Sequence, residues 1–556
     1  MLKQLYVTTD FYDNLLHAGR HFKKRDIDGL MAYCASLGAT RHEWIFDTIW
    51  TLYDDDGPVG YDLLAEACES AHRHGMTFHV VFKPFEGALD HPAHTFPQTF
   101  PRPEKTPFLE EFGGIVDPVR PFLAAHPEMR MARRPDDAMD PGGRIVAIRL
   151  VKNDNAPCTF NPANLSIWTS PRNGGFKRYA GPVTINEDME QRLLLPYRVQ
   201  ECRVVTLGAL DLPEGTRFIM VRGEKCGGNG DFVNTVDQLV ELVNEREQTI
   251  PSTPSRWRVN IELLYERACL LRRLELTRYG RIPEVQSWFS DRERFLSEAN
   301  GMFFFGFDGA RGEVALNREG EVAIARGKQR HIGGVLCPAY PEVRQHWLDE
   351  IRFCLDRGVD GIGIRPGTHS WASEPWAFGF NEPVIEHSAH PGNVAEARRA
   401  NGEAYGQFIR EASAMVRGRG KEFGYHVEVP FLLHIDRDPE KTHFIRNIDW
   451  QWERWVREFA DYVELRGLTQ LREENAREVI DRVGLVAREA GIPLVAPGTL
   501  PRCECELKWF VDHPDIAAFT LYESANFTHI NENDKFEGSQ EVAGLVRRHW
   551  KDKDWR

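Results

Sequence analysis

Nowhere in the 556 residues is there an apolar run of the roughly 18 residues that a helix needs to cross a bilayer. That absence removes the membrane-spanning class. Excess positive charge is also missing: 69 Lys and Arg stand against 83 Asp and Glu, a formal charge of -14. No net field therefore draws the chain to nucleic acid or to an anionic membrane surface, and neither is expected as a partner. The ten cysteines are scattered, which excludes a disulfide framework in a chain of this length. Cys503 and Cys505 in "RCECE" are separated by one residue, not by the two of a zinc knuckle or a redox pair. An apolar leader is missing as well. "MLKQLYVTTDFYDN" enters a strand-like pattern at once, so the chain as written is expected in the cytoplasm, a removed leader aside.

What is present is an ordinary globular composition, 42% hydrophobic and 27% charged, long enough to bury a large core. Strands alternate with helical segments near both ends of the chain, the rhythm of a parallel sheet with helical crossovers. "QLYVTTDFYD", "RHEWIFDTIW" and "TFHVVFKPFEG" read as three strands, with "DIDGLMAYCASLGAT" and "GYDLLAEACESAHRHG" as the helices between them. The rhythm then breaks at the Pro-rich "HPAHTFPQTFPRPEKTP". Short strand-like runs such as "GRIVAIRLVK", "NLSIWTS" and "TRFIMVRG" follow, with a helical stretch expected near "DQLVELVNERE". Five more strands come later: "VDGIGIRPG", "GYHVEVPFLLH", "ADYVELRGL", "IPLVAPGTLPR" and "IAAFTLYESANF". Three strands and five make the eight of a (β/α)8 TIM barrel with an inserted all-β, sandwich-like domain after strand three. The expected division is 1–140 for the first part of the barrel, 141–250 for the inserted domain and 251–556 for the remainder.

Catalytic groups of such barrels come from the C-terminal strand ends and the loops behind them. The first end offers Asp10, the second Asp47 and Trp50, and the third Lys83. The fourth offers Arg365, with His369, Trp371, Trp376 and Asn381 in the loop behind it. His426 and Glu428 close the fifth, and Tyr462, Glu464 and Arg466 the sixth. Arg502 follows the seventh, and Tyr522 and Glu523 close the eighth. Side chains alternate along a strand, so His426 and Glu428 share one face while Tyr425 and Val427 share the other. The same alternation puts Tyr462, Glu464 and Arg466 together. It also puts Gly361 and Gly363 on the face of Arg365, where they leave room inside the barrel.

Carboxylates gathered with Trp and Tyr suit glycosidic cleavage. One carboxylic acid protonates the leaving oxygen, one carboxylate attacks or activates water, and aromatic faces stack on sugar C–H surfaces. Glu428, beside apolar residues, is expected as the general acid, its pKa raised by desolvation. Glu464, beside Arg466, is expected to stay ionised as nucleophile or base. Glu523, Asp47 and Asp10 stand in reserve, and the other strand-end groups are assigned to substrate binding. Any one of these carboxylates could instead cap a helix or pair structurally with arginine. No HExxH or paired-His spacing supports a metal site, and no cofactor is expected.

"LCPAYPEVRQHWLDEIRFCLDRGVDGIGI" resembles the segment "NPAYPEVR…YLLD…VDGI" that precedes the fourth barrel strand in family-10-like glycosyl hydrolase proteins. "ANGEAYGQFIREAS", "IDWQWERWVREFADYVELRG" and "IAAFTLYESANF" are similar to other parts of that group, from about position 334 onward. The resemblance implies a barrel glycosidase acting on an oligosaccharide or glycoside. Relatives close the fourth strand with Asp in "DGIHFD", where this chain has Arg365, so no catalytic pair is carried over. Two other classes stay open: a non-catalytic carbohydrate-binding barrel, and a metal-dependent lyase or isomerase on the same scaffold. The inserted domain could bind glycan, shape the pocket or join copies in a homo-oligomer.

Overall fold

In this computed structural model the described residues are all except 1–2, 12–13, 15–21, 47–59, 87–95, 98–107, 112–114, 119, 153–154, 159–160, 172–175, 196–197, 224–238, 255–320, 368–374, 387, 391, 429–446, 468–472, 500–512, 532 and 549–556. Eight strands close into a barrel: β1 (Gln4–Thr9), β2 (Arg41–Phe46), β3 (Thr77–Phe82), β4 (Gly361–Ile364), β5 (Glu422–Glu428), β6 (Tyr462–Arg466), β7 (Leu494–Thr499) and β8 (Ile516–Tyr522). All eight neighbour pairs are parallel, including β8 with β1, which leaves the barrel no edge.

Helices α1 (Lys24–Ser36), α2 (Leu63–Arg73), α3 (Pro341–Asp356), α4 (Val394–Gly418), α5 (Trp452–Phe459), α6 (Glu473–Ala490) and α7 (Gln540–Val546) follow the strand rhythm. Side chains start several of them. Asp62 accepts the Ala65 N–H ahead of α2, Asn393 accepts two N–H groups ahead of α4, and Ser539 accepts the Val542 N–H ahead of α7. No helix among the described residues is long and apolar enough to cross a membrane.

The barrel strands are buried on both faces, as crossover helices require. Outward-pointing Trp44, Phe78, Ile362, Ile364, Tyr425, Val427, Val463 and Leu465 join one core with Trp347, Ile351, Phe408 and Trp455 of the helices. Tyr425 meets Trp455 with ring centroids 5.7 Å apart.

Between β3 and β4, the described residues also form two five-stranded sheets. One runs in the order Lys177–Arg178, Leu165–Ser170, Phe218–Gly223, Glu321–Arg326, Ser252–Pro254. The other runs Thr184–Leu195, Arg198–Gly208, Ile145–Val151, Leu239–Asn244, Thr249–Ile250. A shared apolar cluster takes Ile167, Ile219, Val221 and Ile324 from the first and Ile148, Leu150, Val205, Leu207 and Leu242 from the second. The first sheet draws two strands, Ser252–Pro254 and Glu321–Arg326, from beyond position 250. The helix expected near "DQLVELVNERE" is corrected here, because Leu239–Asn244 is a strand paired with Ile145–Val151. Its period is two: Val240 and Leu242 are buried, while Glu241 between them pairs across the sheet with Arg149 and Arg192.

Glycines in β4 and β5 give the barrel interior its room. A Cβ on Gly424 would lie 2.0 Å from Tyr462 Cζ, and one on Gly363 would lie 2.3 Å from His426 Nε2 and 2.9 Å from the Tyr462 hydroxyl. Gly361 likewise faces His79 at 2.3 Å. The space expected for Arg365 is taken by these three rings. Gly424→Ala is therefore expected to destabilise the protein by roughly 1–3 kcal/mol through overpacking, read as a lower urea midpoint. An unchanged midpoint would show that the Tyr462 ring can yield.

Candidate active site

The parallel register of β5 with β6 stacks their inward side chains in three tiers. Gly424 pairs with Tyr462, His426 with Glu464, and Glu428 with Arg466 at the mouth. Across the barrel, Thr8 of β1 pairs with Glu43 of β2, and its hydroxyl donates to Glu43 Oε2 at 3.0 Å. In the lowest tier Tyr6, Tyr462, Val495 and Ala518 cluster, and Arg41 lies between the Tyr6 and Tyr462 rings, 4.4 and 4.7 Å from their centroids. Glu422 holds that guanidinium at 2.5 Å.

The middle tier is dry and polar. Glu43, His426 and Glu464 have no exposed surface. Arg466 donates from Nε to His426 Nδ1 at 3.1 Å, and its Nη2 stands 3.0 Å from Glu464 Oε1 and 3.5 Å from Glu43 Oε2. Accepting at Nδ1 puts the proton of His426 on Nε2, the nitrogen 3.9 Å from Glu464 Oε2. Burial holds His426 neutral, well below the usual histidine range, and the arginines around it act in the same direction. Burial also pushes the Glu464 carboxyl well above the usual carboxylate range. Arg466 works against this and Glu43 adds to it.

At the mouth, Arg365 donates from Nε to Glu428 Oε1 at 2.8 Å and from Nη1 to the Tyr522 hydroxyl at 3.2 Å. Burial works against the Arg365 charge, but Tyr522 and Glu428 outweigh it and raise its pKa above the ordinary value. The Tyr522 ring lies under Arg466, 4.8 Å from Cζ to centroid. Its hydroxyl is pushed up, first by burial and then by Glu523, with Arg365 and Arg466 opposing and Asp10 adding. Three carboxylates, two guanidiniums and a phenol thus interact at the C-terminal end of the barrel. Gly367 leaves the backbone bare beside Glu428, where a Cβ would come within 2.5 Å of Oε1.

The structure therefore brings together Asp10, Arg365, Glu428, Arg466, Tyr522 and Glu523. His426, Tyr462 and Glu464 lie beneath them without exposed surface or nearly so. Lys83 is buried and ion-paired with Glu86. Asn381 is buried, accepting the Ala132 N–H at 3.0 Å and donating to the Arg130 carbonyl at 2.6 Å. Trp376 is 42% exposed on the segment after β4. Asp47, Trp50, His369, Trp371 and Arg502 lie outside the described residues.

The charge expected of Glu464 is reversed. Glu464 is the group that favours its proton, because complete burial and a second carboxyl outweigh the guanidiniums of Arg466 and Arg41. Glu428 stands in ion-pair contact with Arg365. The residue that sequence reasoning missed is Glu43. Its signal was a carboxylate two positions after Arg41, in a strand that the outward-pointing Trp44 and Phe46 mark as buried. Among the described residues, no group of three or more His, Cys, Asp or Glu is gathered as metal ligands would be.

No protein-family model matches the chain, and no curated protein matches it. Among solved structures it is similar to the glycoside hydrolase domain of PelA from Pseudomonas aeruginosa, at 13% identity and a TM-score of 0.22, over 35% of this chain and 65% of that one. It is similar to the catalytic domain of a β-amylase from Paenibacillus polymyxa at 8% identity and a TM-score of 0.32, over 98% of each chain. A β-galactosidase from the psychrophilic Marinomonas ef1 is similar at 9% identity and a TM-score of 0.37, over 98% of this chain and 59% of that one. The chain thus spans less than two thirds of the PelA domain that it matches. These neighbours are glycoside hydrolases, and they do not specifically point to family 10. Scores this low carry no argument about the fold, which rests on the strand pairing.

Buried histidines set the acid limb of stability. Burial pushes His42 down to about 3, and His79 and His426 well below the ordinary value. Below about pH 6.5 the unfolded chain takes up protons on these rings and the folded chain does not, so stability is lost as pH falls. The raised Glu464 acts with the opposite sign above about pH 4.3, where the unfolded chain has released that proton, but it is one group against five, since burial lowers His331 and His346 as well. The urea midpoint is expected to fall between about pH 7 and about pH 5. A midpoint that rises over that interval would contradict the burial of neutral imidazoles.

Proposed function

We propose that the protein is a glycoside hydrolase that cleaves a glycosidic bond in an oligosaccharide or glycoside at the mouth of the barrel, with Glu428 as its leading reactive carboxylate. The observation that carries this reading is the chain Glu428–Arg365–Tyr522. It is a carboxylate held by a guanidinium that a phenol also fixes, at the end of the barrel where such enzymes react. An ion-paired carboxylate is suited to act as nucleophile or base, because the guanidinium keeps it charged and aimed.

Cleavage also needs a proton donor to the leaving oxygen. Glu523, beside Tyr522 on the same rim, takes that role in this reading, and Asp10 and Asp47 remain in reserve. Glu464 has no surface that a sugar could touch, so it acts from beneath the mouth. The exposed indole of Trp376 offers a stacking face for a pyranose ring. The two antiparallel sheets between β3 and β4 are read as an inserted β domain. The family-10-like resemblance of the barrel segments agrees with this class.

Turnover of an oligosaccharide panel, read by mass spectrometry of the products, tests the reading. The wild type is expected to cleave at least one member, and Glu428→Gln to cut that rate by roughly 10²- to 10⁴-fold while the variant stays folded. Full activity in a folded Glu428→Gln variant would remove Glu428 from the chemistry. A wild type that binds panel members and cleaves none would favour a carbohydrate-binding barrel.

A further inference from the structure

We infer that Glu43 and Glu464 are a positioning pair that holds one proton between them and, by fixing Arg466, fixes the Tyr522–Arg365–Glu428 chain at the mouth. The positioning half of this inference rests on the reading of Glu428 as the reactive carboxylate.

Three carboxyls, Glu43, Glu422 and Glu464, face two guanidiniums, Arg41 and Arg466. Arg41 is ion-paired with Glu422, which is half exposed at the lower end, and its charge also acts on Glu43 and, less than that of Arg466, on Glu464. Arg466 is left with two carboxyls that have no exposed surface. His426 adds no charge, since its Nδ1 lone pair already accepts from Arg466. The other groups facing the pair are Tyr6 and Thr8 from β1, Tyr462 from β6 and, further off, His79 from β3. All of them are neutral with their protons in place.

A bare pair also leaves bonds unmade. With both carboxyls ionised, neither has a hydrogen to offer the other. Glu43 Oε1 and both oxygens of Glu464 are then buried without a hydrogen bond among the described residues. Such a loss is costly in a dry interior. One proton on one carboxyl, donated to an oxygen of the other, supplies the missing bond and leaves the pair with the single negative charge that Arg466 matches. No electron and no other reactant is involved. The burial-driven rise in the Glu464 pKa, with Glu43 contributing a hydrogen bond, agrees with this arrangement. Arg466 then passes the order upward, since its guanidinium lies on the Tyr522 ring whose hydroxyl accepts from Arg365.

Infrared spectroscopy of protein carrying carboxyl-labelled glutamate at neutral pH reads the shared proton directly. The expected result is a protonated-carboxyl stretch in the wild type that is lost in both Glu43→Gln and Glu464→Gln, because either change leaves one carboxylate for one guanidinium. The Arg466 Nε–H resonance is expected to exchange slowly in the wild type and in each single variant. It should be lost in the double variant, whose guanidinium has no counter-charge. Absence of the stretch in the wild type overturns the pair even if no variant folds, and so does a stretch that survives both single changes. Neither readout needs a substrate, so failure here leaves the glycosidase reading standing. Failure of Glu428→Gln to lower turnover would leave the infrared result intact.

Discussion

A single guanidinium, Arg466, links the closed interior of the barrel to its open end. Below it are two buried carboxyls and a neutral imidazole, and above it is the face of Tyr522. Removing one partner of such a buried cluster leaves an uncompensated group, which costs far more than the cluster contributes when intact. The small residues of β4 and β5 belong to the same constraint. Gly363 and Gly424 admit the His426 and Tyr462 rings that wall the cluster in, so backbone geometry on one side of the barrel sets the electrostatics on the other.

The barrel has a division of labour by depth. In the lowest tier Arg41 lies between two tyrosine rings and is neutralised by Glu422 near the solvent. In the middle tier, Glu43, His426 and Glu464 have no exposed surface. At the top, Glu428 keeps about a tenth of its side-chain surface open, enough to meet a small ligand, while Arg365 anchors it. A group two residues further down the same strand, such as His426, is already part of the core.

Much of this was legible in the sequence. Alternation along "GYHVEVP" and "ADYVELRG" put His426 with Glu428, and Tyr462 with Glu464 and Arg466, and the strand pairing has them so. Depth was not legible, because a period of two says which face a residue takes and not how far below the rim it stands. Glu464 and His426 were therefore placed at the mouth when they lie one tier down. Glu43 went unnoticed for a related reason. "RHEWIF" carries ionisable residues on both faces, Arg41 and Glu43 inward and His42 outward, and the strand end was read later, at Asp47 and Trp50. Which carboxyl meets which across a barrel depends on stagger between strands that are far apart in sequence. The strand at Leu239–Asn244 was misread because Leu and Glu suit a helix in isolation, and its cross-strand partners Arg149 and Arg192 decide otherwise.

Neutron diffraction from a deuterated crystal near neutral pH tests the central claim most directly. The account predicts one deuteron between the carboxyls of Glu43 and Glu464, with His426 deuterated at Nε2 alone and Arg466 in contact with both carboxyls. Two bare carboxylates, or a doubly deuterated His426 taking the place of the shared proton, would contradict it.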